Sequence, residues 1–216
     1  MVVLGLDSTG KSASVALVRD GAVTAEKFQN SGYTHSETLA PMLDELLRET
    51  GTTAGQIDLI AVTAGPGSFT GIRIGLATVK GFAFAHDTPC QAISTLSCLA
   101  YPLKDFDGIV CPALDARRGQ IYNALFQGGQ RITPERAIAA ADLAGLAGPV
   151  CLTGDGAELC QPYLPHALLA PPEYRLQRAV FAALSADMTH AVSPDMLRPS
   201  YLRLSQAERE KNAKEM

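Results

Sequence analysis

The chain has 216 residues, is 47% hydrophobic and carries a formal net charge of −4 at pH 7. That length suits one compact domain or two small lobes with a genuine core. Its cations are scattered, with Arg117-Arg118 the one adjacent pair, which argues against the chain alone being a strong nucleic-acid binder but not against service in an assembly that handles RNA.

The first apolar strand runs into Gly5-Leu6-Asp7-Ser8-Thr9-Gly10-Lys11-Ser12, a complete match to the Walker A pattern. A P-loop joins a strand to a helix whose N-terminus and backbone N–H groups hold phosphate. The residues that follow are not helical here. Ala13, Val15 and Leu17 share one parity, Asp20-Gly21 is a hairpin signal, and "AVTAEKF" reads as a third short strand. The loop is therefore read as the tip of a β-hairpin, with Ser, Thr and Gly as donors that could face phosphate.

A helix is predicted over 34–49. Thr34 and Glu37 have capping-box spacing, Leu39, Leu43, Leu46 and Leu47 recur at helical spacing, and Gly51 lies beyond the end. Pro41 inside the run predicts a kink or a frayed first turn. "IDLIAVTAG" reads as a buried strand, followed by a helix over 68–85 with Ser68 as N-cap, the strand "PCQAIS" and a short helix. The order of the first half is thus βββαβαβα.

The helix over 68–85 carries two apolar or small faces about 100° apart. Phe69, Ile72, Leu76, Val79 and Ala83 form one, and Gly71, Gly75, Thr78 and Phe82 the other. A surface helix needs one such stripe. The second face packs either on a neighbouring helix of the same chain, with the glycines permitting close approach, or on another protein. The sequence leaves both open. The 34–49 helix also shows a wide apolar face, and the two side by side could form half of a four-helix interface.

The second half restarts the first. Aligning Asp7 with Asp115 brings Ala16 onto Ala124, Leu17 onto Leu125 and Asp20-Gly21 onto Gly128-Gly129 without a gap, which favours a duplication. A strand over 149–153, helices near 156–163 and 172–190, and a charged tail complete the chain.

Little chemistry stands out. The five cysteines, 90, 98, 111, 151 and 160, form no C-x-x-C and read as free buried thiols of a reducing compartment. Nothing cationic lies near Cys98 in sequence, so it reads as a buried helix residue. His35, His86, His166 and His190 are isolated, with no metal-binding spacing, and His35 reads as a helix-start residue. No nucleophile elbow occurs. Asp7 and Asp115 at strand ends either hold Mg²⁺ across a cleft or cap their own turns. An N-terminus without a basic n-region predicts no signal peptide, and the uncharged stretch 88–103 is too polar to span a bilayer.

"LGLDSTGKSASVAL" (4–17), "HSETLAPML" (35–43), "AGPGSFTGIRIG" (64–75), "ALDARRGQIYNALF" (113–126) and "RPSYLR" (198–203) together resemble the bacterial TsaB/YeaZ family over almost the whole chain. The resemblance implies an α/β, actin-like, Hsp70-like and sugar-kinase-like (ASKHA) fold of two RNase-H-like lobes. The first would be 1–104, carrying the dimerisation helices. The second, smaller lobe would be 105–204, with a charged tail at 205–216. It also implies a non-catalytic role in making N6-threonylcarbamoyladenosine in tRNA, beside a catalytic paralogue, TsaD. The paralogue's two metal-binding histidines align with Thr95 and Leu99 here, so the transfer chemistry is expected to be missing.

Further expectations follow from the resemblance. Leu39, Met42, Leu43, Leu46, Gly71, Ile74, Gly75, Thr78 and Phe82 would form the partner interface, and Gly75→Leu would abolish pairing while leaving the monomer folded. Asp7, Ser8, Thr9, Gly10, Lys11, Asp115, Arg117 and Gly154 would be a vestigial nucleotide-facing set. The chain would need no cofactor or metal of its own, with ATP and Mg entering at the level of the complex. Its partners would be the TsaD-like paralogue and a TsaE-like ATPase, with a homodimer when alone, tRNA reached only through the complex, no membrane and a cytoplasmic location. The rival readings are a small ATPase or kinase using Asp7, Asp115 and Mg, and, ranked last, a peptidase.

Overall fold

The computed structural model describes residues 1–30 and 34–203. The expected tail, 205–216, lies outside the described residues. Two mixed sheets organise the molecule. The first contains β1 (Val2–Asp7), β2 (Ala13–Arg19), β3 (Ala22–Gln29), β4 (Leu59–Gly65) and β5 (Cys90–Ser94), in spatial order β3-β2-β1-β4-β5. β1 and β3 pair antiparallel with β2, while β4 runs parallel to β1 and β5. Helices α1 (His35–Thr50), α2 (Phe69–Phe84) and α3 (Thr95–Ala100) complete the expected βββαβαβα order.

After Lys11 the chain enters β2 rather than a helix, so the Walker-like letters form a hairpin tip. The next turn has Asp20 at φ 49° and Gly21 at φ 78°, both left-handed, as a two-residue hairpin turn matching strand twist requires. Ser68 caps α2 by accepting the Gly71 N–H at 3.2 Å. Thr34 occupies the N-cap of α1 without a side-chain cap bond, and the turn closes through Glu37 N–H to the Thr34 carbonyl at 3.0 Å. The expected capping box is therefore replaced by a backbone turn. α1 is continuous through Pro41 and ends at Gly51, whose φ of 60° supplies the left-handed C-cap.

The second sheet contains β6 (Ile109–Arg117), β7 (Gln120–Asn123), β10 (Arg136–Ala139), β11 (Val150–Thr153) and β12 (Leu168–Leu169) in the order β10-β7-β6-β11-β12, with the ribbon β8 (Phe126–Gln127) and β9 (Gln130–Arg131) joined to β6. Gly128 and Gly129, φ 54° and 75°, make the turn that the repeat placed opposite Asp20-Gly21.

The helices of this half are shorter than expected. The 156–163 segment is a four-residue helix, α4 (Ala157–Cys160), running into a 3-10 turn with Pro162 inside it. The 172–190 segment is a 3-10 turn over Pro172–Tyr174, helix α5 (Ala179–Ser185) and a second 3-10 turn over Met188–His190. Arg178, at φ −137° and ψ 130°, is extended and delays the helix. Asp187 then accepts the Thr189 N–H at 2.8 Å and starts a new turn.

The two halves exchange helices. α5 packs on β1, β2 and β4, where Ala182 and Ala183 cover Val3, Val18, Leu59 and Ala61. Val192 bridges to Cys90, and Leu197 joins the first-sheet core. Conversely, α3 bridges the two sheets: its Cys98 joins the first-sheet cluster of Val3, Leu59 and Ala61, while Leu96 and Leu99 pack against Val110, Leu114 and Phe126 beside β6. A boundary drawn at 104/105 along the sequence cuts across both exchanges. With α1 and α2 on one face and α5 on the other, the first sheet is covered twice, and β1, β2 and β4 are buried almost throughout.

Candidate functional site

The tips of the two repeated hairpins meet across a cleft of about 410 Å³. Thr9, Gly10 and Lys11 line it from the first half, and Asp115, Arg117 and Asp155 from the second. The two aspartates do equivalent local work. Asp7 Oδ1 accepts the Thr9 N–H at 3.1 Å, and Asp115 Oδ1 accepts the Arg117 N–H at 2.7 Å. Each carboxylate thus ties down the amide two residues on and caps its own turn.

The hydroxyl groups of the first loop, expected to face phosphate, bond within the chain instead. Ser8 Oγ donates to the Gly71 carbonyl at 2.9 Å, Thr9 Oγ1 to Asp7 Oδ2 at 3.1 Å, and Ser12 Oγ to the Gln177 carbonyl at 3.3 Å. All three side chains are buried, as is Asp7. Burial pushes the Asp7 carboxyl above its usual range, opposed by hydrogen bonds from Thr63 and Thr9 and by the charge of His35. Asp155, which accepts the Asp115 N–H at 3.0 Å, is also raised by burial. The three hydroxyls therefore serve the fold of the hairpin tip, while Gly10 and Lys11 line the cleft.

Of the eight residues expected to face nucleotide, Asp7, Ser8 and Gly154 do not line the cleft. Asp7 and Ser8 lie buried behind the tip. Gly154, at φ 94°, lies so close to the Ala113 carbonyl that a Cβ would overlap it, so it serves the packing of β11 against β6. Sequence reasoning missed Asp155, Gln177 and Tyr201, which do line it. His35 is more than a helix start: its Nε2 lies 2.9 Å from the Gly10 carbonyl and ties α1 to the hairpin tip.

The surface of α1 and α2 also departs from expectation. Leu39, Met42, Leu43 and Leu46 are buried in the chain's own core with Leu4, Leu6 and Val62. Gly71 and Gly75 face inward: a Cβ on Gly71 would overlap the Ser8 carbonyl oxygen, and one on Gly75 would lie 2.5 Å from Ser8 Oγ. The second apolar face of α2 is therefore half covered by the first hairpin tip. These six residues cannot form an outer contact surface, because the chain itself has closed over them.

What remains outward is a stripe further round the helix. Ile74, Thr78 and Phe82 are half-buried, while Ala77, Gly81 and Phe84 are exposed, Phe84 at 85%. A Cβ on Gly81 would meet nothing within 4 Å. Positions 77, 81 and 84 follow i, i+4, i+7 spacing, a signal present in the sequence but hidden by the stronger pattern of the neighbouring faces. On α3, Thr95 and Leu99 are buried, and Cys98 is held well above its usual thiol range by burial and then by Asp7. Among the described residues, no helix is long and apolar enough to cross a membrane.

A family model described as TsaD, tRNA N6-adenosine threonylcarbamoyltransferase, matches residues 29–193. The chain is 31% identical over 221 residues to the tRNA threonylcarbamoyladenosine biosynthesis protein TsaB of Bacillus subtilis, covering 96% of each. It resembles the solved structure of YeaZ from Pseudomonas aeruginosa with a TM-score of 0.78 at 27% identity, covering 93% of this chain and 99% of that one. A more distant likeness is to the activator of 2-hydroxyisocaproyl-CoA dehydratase from Clostridium difficile with bound ADPNP, at a TM-score of 0.51, 13% identity and coverage of 100% and 98%. That last likeness concerns the fold alone. With the two mixed sheets, these matches place the chain in the actin-like ASKHA fold.

Proposed function

The chain belongs to the TsaB/YeaZ family, and from that premise we propose that it is a non-catalytic assembly subunit for tRNA N6-threonylcarbamoyladenosine formation. It pairs with a TsaD-like catalytic paralogue, or with itself when alone, and helps a TsaE-like ATPase to dock. ATP, Mg and tRNA are engaged at the level of the complex, and the location is cytoplasmic.

One observation carries this reading. The outward face of α2 leaves Ala77, Gly81 and Phe84 uncovered with Ile74, Thr78 and Phe82 half-buried beside them, and the two cations on that face are drawn aside, Arg73 onto the Phe69 ring and the Tyr201 hydroxyl and Lys80 toward the Asp195 carbonyl at 3.5 Å. Gly81 permits close helix approach, and an exposed Phe84 is the type of side chain that anchors an interface. The non-catalytic part is supported by Thr95 and Leu99, buried residues that cannot ligate a metal as histidine does, at the positions where the paralogue's histidines align, and by hairpin hydroxyls that bond inside the chain.

The test replaces Gly81 by Arg and, separately, Ala77 by Arg, and measures co-elution with the TsaD-like partner of the same organism. Both variants are expected to melt no lower than the wild type and to lose pairing. Normal co-elution of both would refute the pairing surface.

A further inference from the structure

The stretch Arg198–Arg203 lies beside the outward face of α2 and spans the two halves across the cleft. On the first half, the Ser200 N–H donates to the Ala64 carbonyl at 2.7 Å. Gly65 makes this approach possible, since a Cβ there would overlap the Ser200 carbonyl oxygen, and at φ 118° the position suits glycine. The Tyr201 ring stacks on Phe69 with centroids 4.6 Å apart and planes inclined by 24°. Arg73 lies 3.9 Å from the Phe69 centroid and donates from Nε to the Tyr201 hydroxyl at 3.0 Å. Phe69 and Arg73 belong to the first two turns of α2, so the aromatic pair fixes the segment to the helix that follows the Gly65-Pro66-Gly67 turn.

The hold on the second half is of another kind. Arg203 Nη1 donates to the Ala116 carbonyl at 3.1 Å. Ala116 immediately precedes Arg117 and Arg118, which stand at φ 68° and 58°, left-handed values that a non-glycine residue adopts only under constraint. Arg203 thus grips the tip of the second hairpin, while Ser200 and Tyr201 are seated against the first half. The grip is one charge-assisted bond at the end of a long side chain, which can swing away without moving the backbone that carries it.

We propose that residues 198–203 form a latch between the two halves, anchored through Ser200 and Tyr201 and releasable at Arg203, which holds the tip of the second hairpin in place beside the cleft. A C-terminal segment that merely packed would need contacts to one half. This one joins the loop before α2 to the opposite hairpin tip, and its Ser200, Tyr201, Leu202 and Arg203 all line the cleft itself. The two ends differ in consequence. Loss of Arg203 frees the second hairpin and leaves the anchor in place, whereas loss of the Tyr201 ring loosens the anchor and, with it, the grip.

Hydrogen exchange read by mass spectrometry on the full chain distinguishes the two ends. Arg203→Ala is expected to speed exchange at amides 113–119 about fivefold, the scale of one lost hydrogen bond, while 64–72 keep their wild-type rates. Tyr201→Ala is expected to speed both segments. Arg203 is a part-buried side chain outside the hydrophobic cores, so both cores are expected to keep their protection, which amides of α1 and β11 report. Wild-type exchange at 113–119 in Arg203→Ala overturns the proposal. So does an acceleration spread evenly through α1 and β11.

Discussion

Ser8 Oγ donates to the Gly71 carbonyl at 2.9 Å, and the Ser8 carbonyl occupies the space that a Cβ on Gly71 would need. The tip of the first hairpin is therefore seated in the first turn of α2, 63 residues further along the chain. Gly75, one turn on, extends the seat under Ser8 Oγ. Glycine is required here by close approach rather than by a partner protein, and a large residue at position 75 would unseat the tip instead of leaving a folded monomer.

Two glycine-to-alanine changes on α2 should therefore have opposite signs. At Gly71 the added methyl meets backbone, which cannot step aside as a side chain can, so Gly71→Ala is expected to cost about 1–3 kcal/mol. At Gly81 it points into open space, and the gain in helix propensity should stabilise by roughly 0.5–1 kcal/mol. Urea denaturation of both variants checks this, and two shifts of the same sign would contradict it.

Asp7 makes stability depend on pH in a defined direction. Burial raises its carboxyl in the folded state, whereas an unfolded Asp titrates near ~3.9. Above that value the folded protein holds a proton that the unfolded chain has released, so stability falls as pH rises through the window between the two. Asp7→Asn cannot ionise and keeps a carbonyl acceptor for the Thr9 N–H. Denaturation at pH 4 and pH 7 should show the variant gaining on the wild type toward pH 7. A difference that stays constant would remove Asp7 as the cause.

The thiols should be silent in the native protein. All five are buried. Burial pushes Cys90 and Cys160 up to about 11 and Cys111 up to about 12, and Cys98 and Cys151 are raised as well. The nucleophile is the thiolate, so a thiol reagent at pH 7.5 is expected to find almost no reactive group until denaturant is added, and then five. Rapid native labelling at any one of them would show that its surroundings open.

A fragment ending at residue 104 should not fold on its own. It would lack α5, leaving Val3, Val18, Leu59 and Ala61 uncovered on the first sheet, and it would carry α3 without β6 to receive Leu96 and Leu99. The expected signature is binding of a hydrophobic dye with no cooperative melt. A sharp thermal transition from the fragment would mean that the exchange of helices is not needed for folding.

The local elements of this protein were readable in its letters because their causes are local. Alternation after Lys11 made a strand where the Walker-like pattern suggested a helix, Asp20-Gly21 made the turn, Ser68 the cap and Gly51 the helix end. The repeat placed two equivalent hairpins in the chain, and their tips, with Thr9, Lys11, Asp115 and Arg117, line one cleft. Asp155, Gln177, Tyr201 and Arg203 were not readable, since each reaches the cleft from a distant segment. Proline and an extended Arg178 broke up a helix that composition alone would have continued. The sequence by itself determined that α2 has more apolar surface than one core can use. Only the tertiary structure decided that Ser8 covers Gly71 and Gly75 while Ala77, Gly81 and Phe84 stay open. Periodicity records which side chains avoid water, and it carries no information about what comes to cover them.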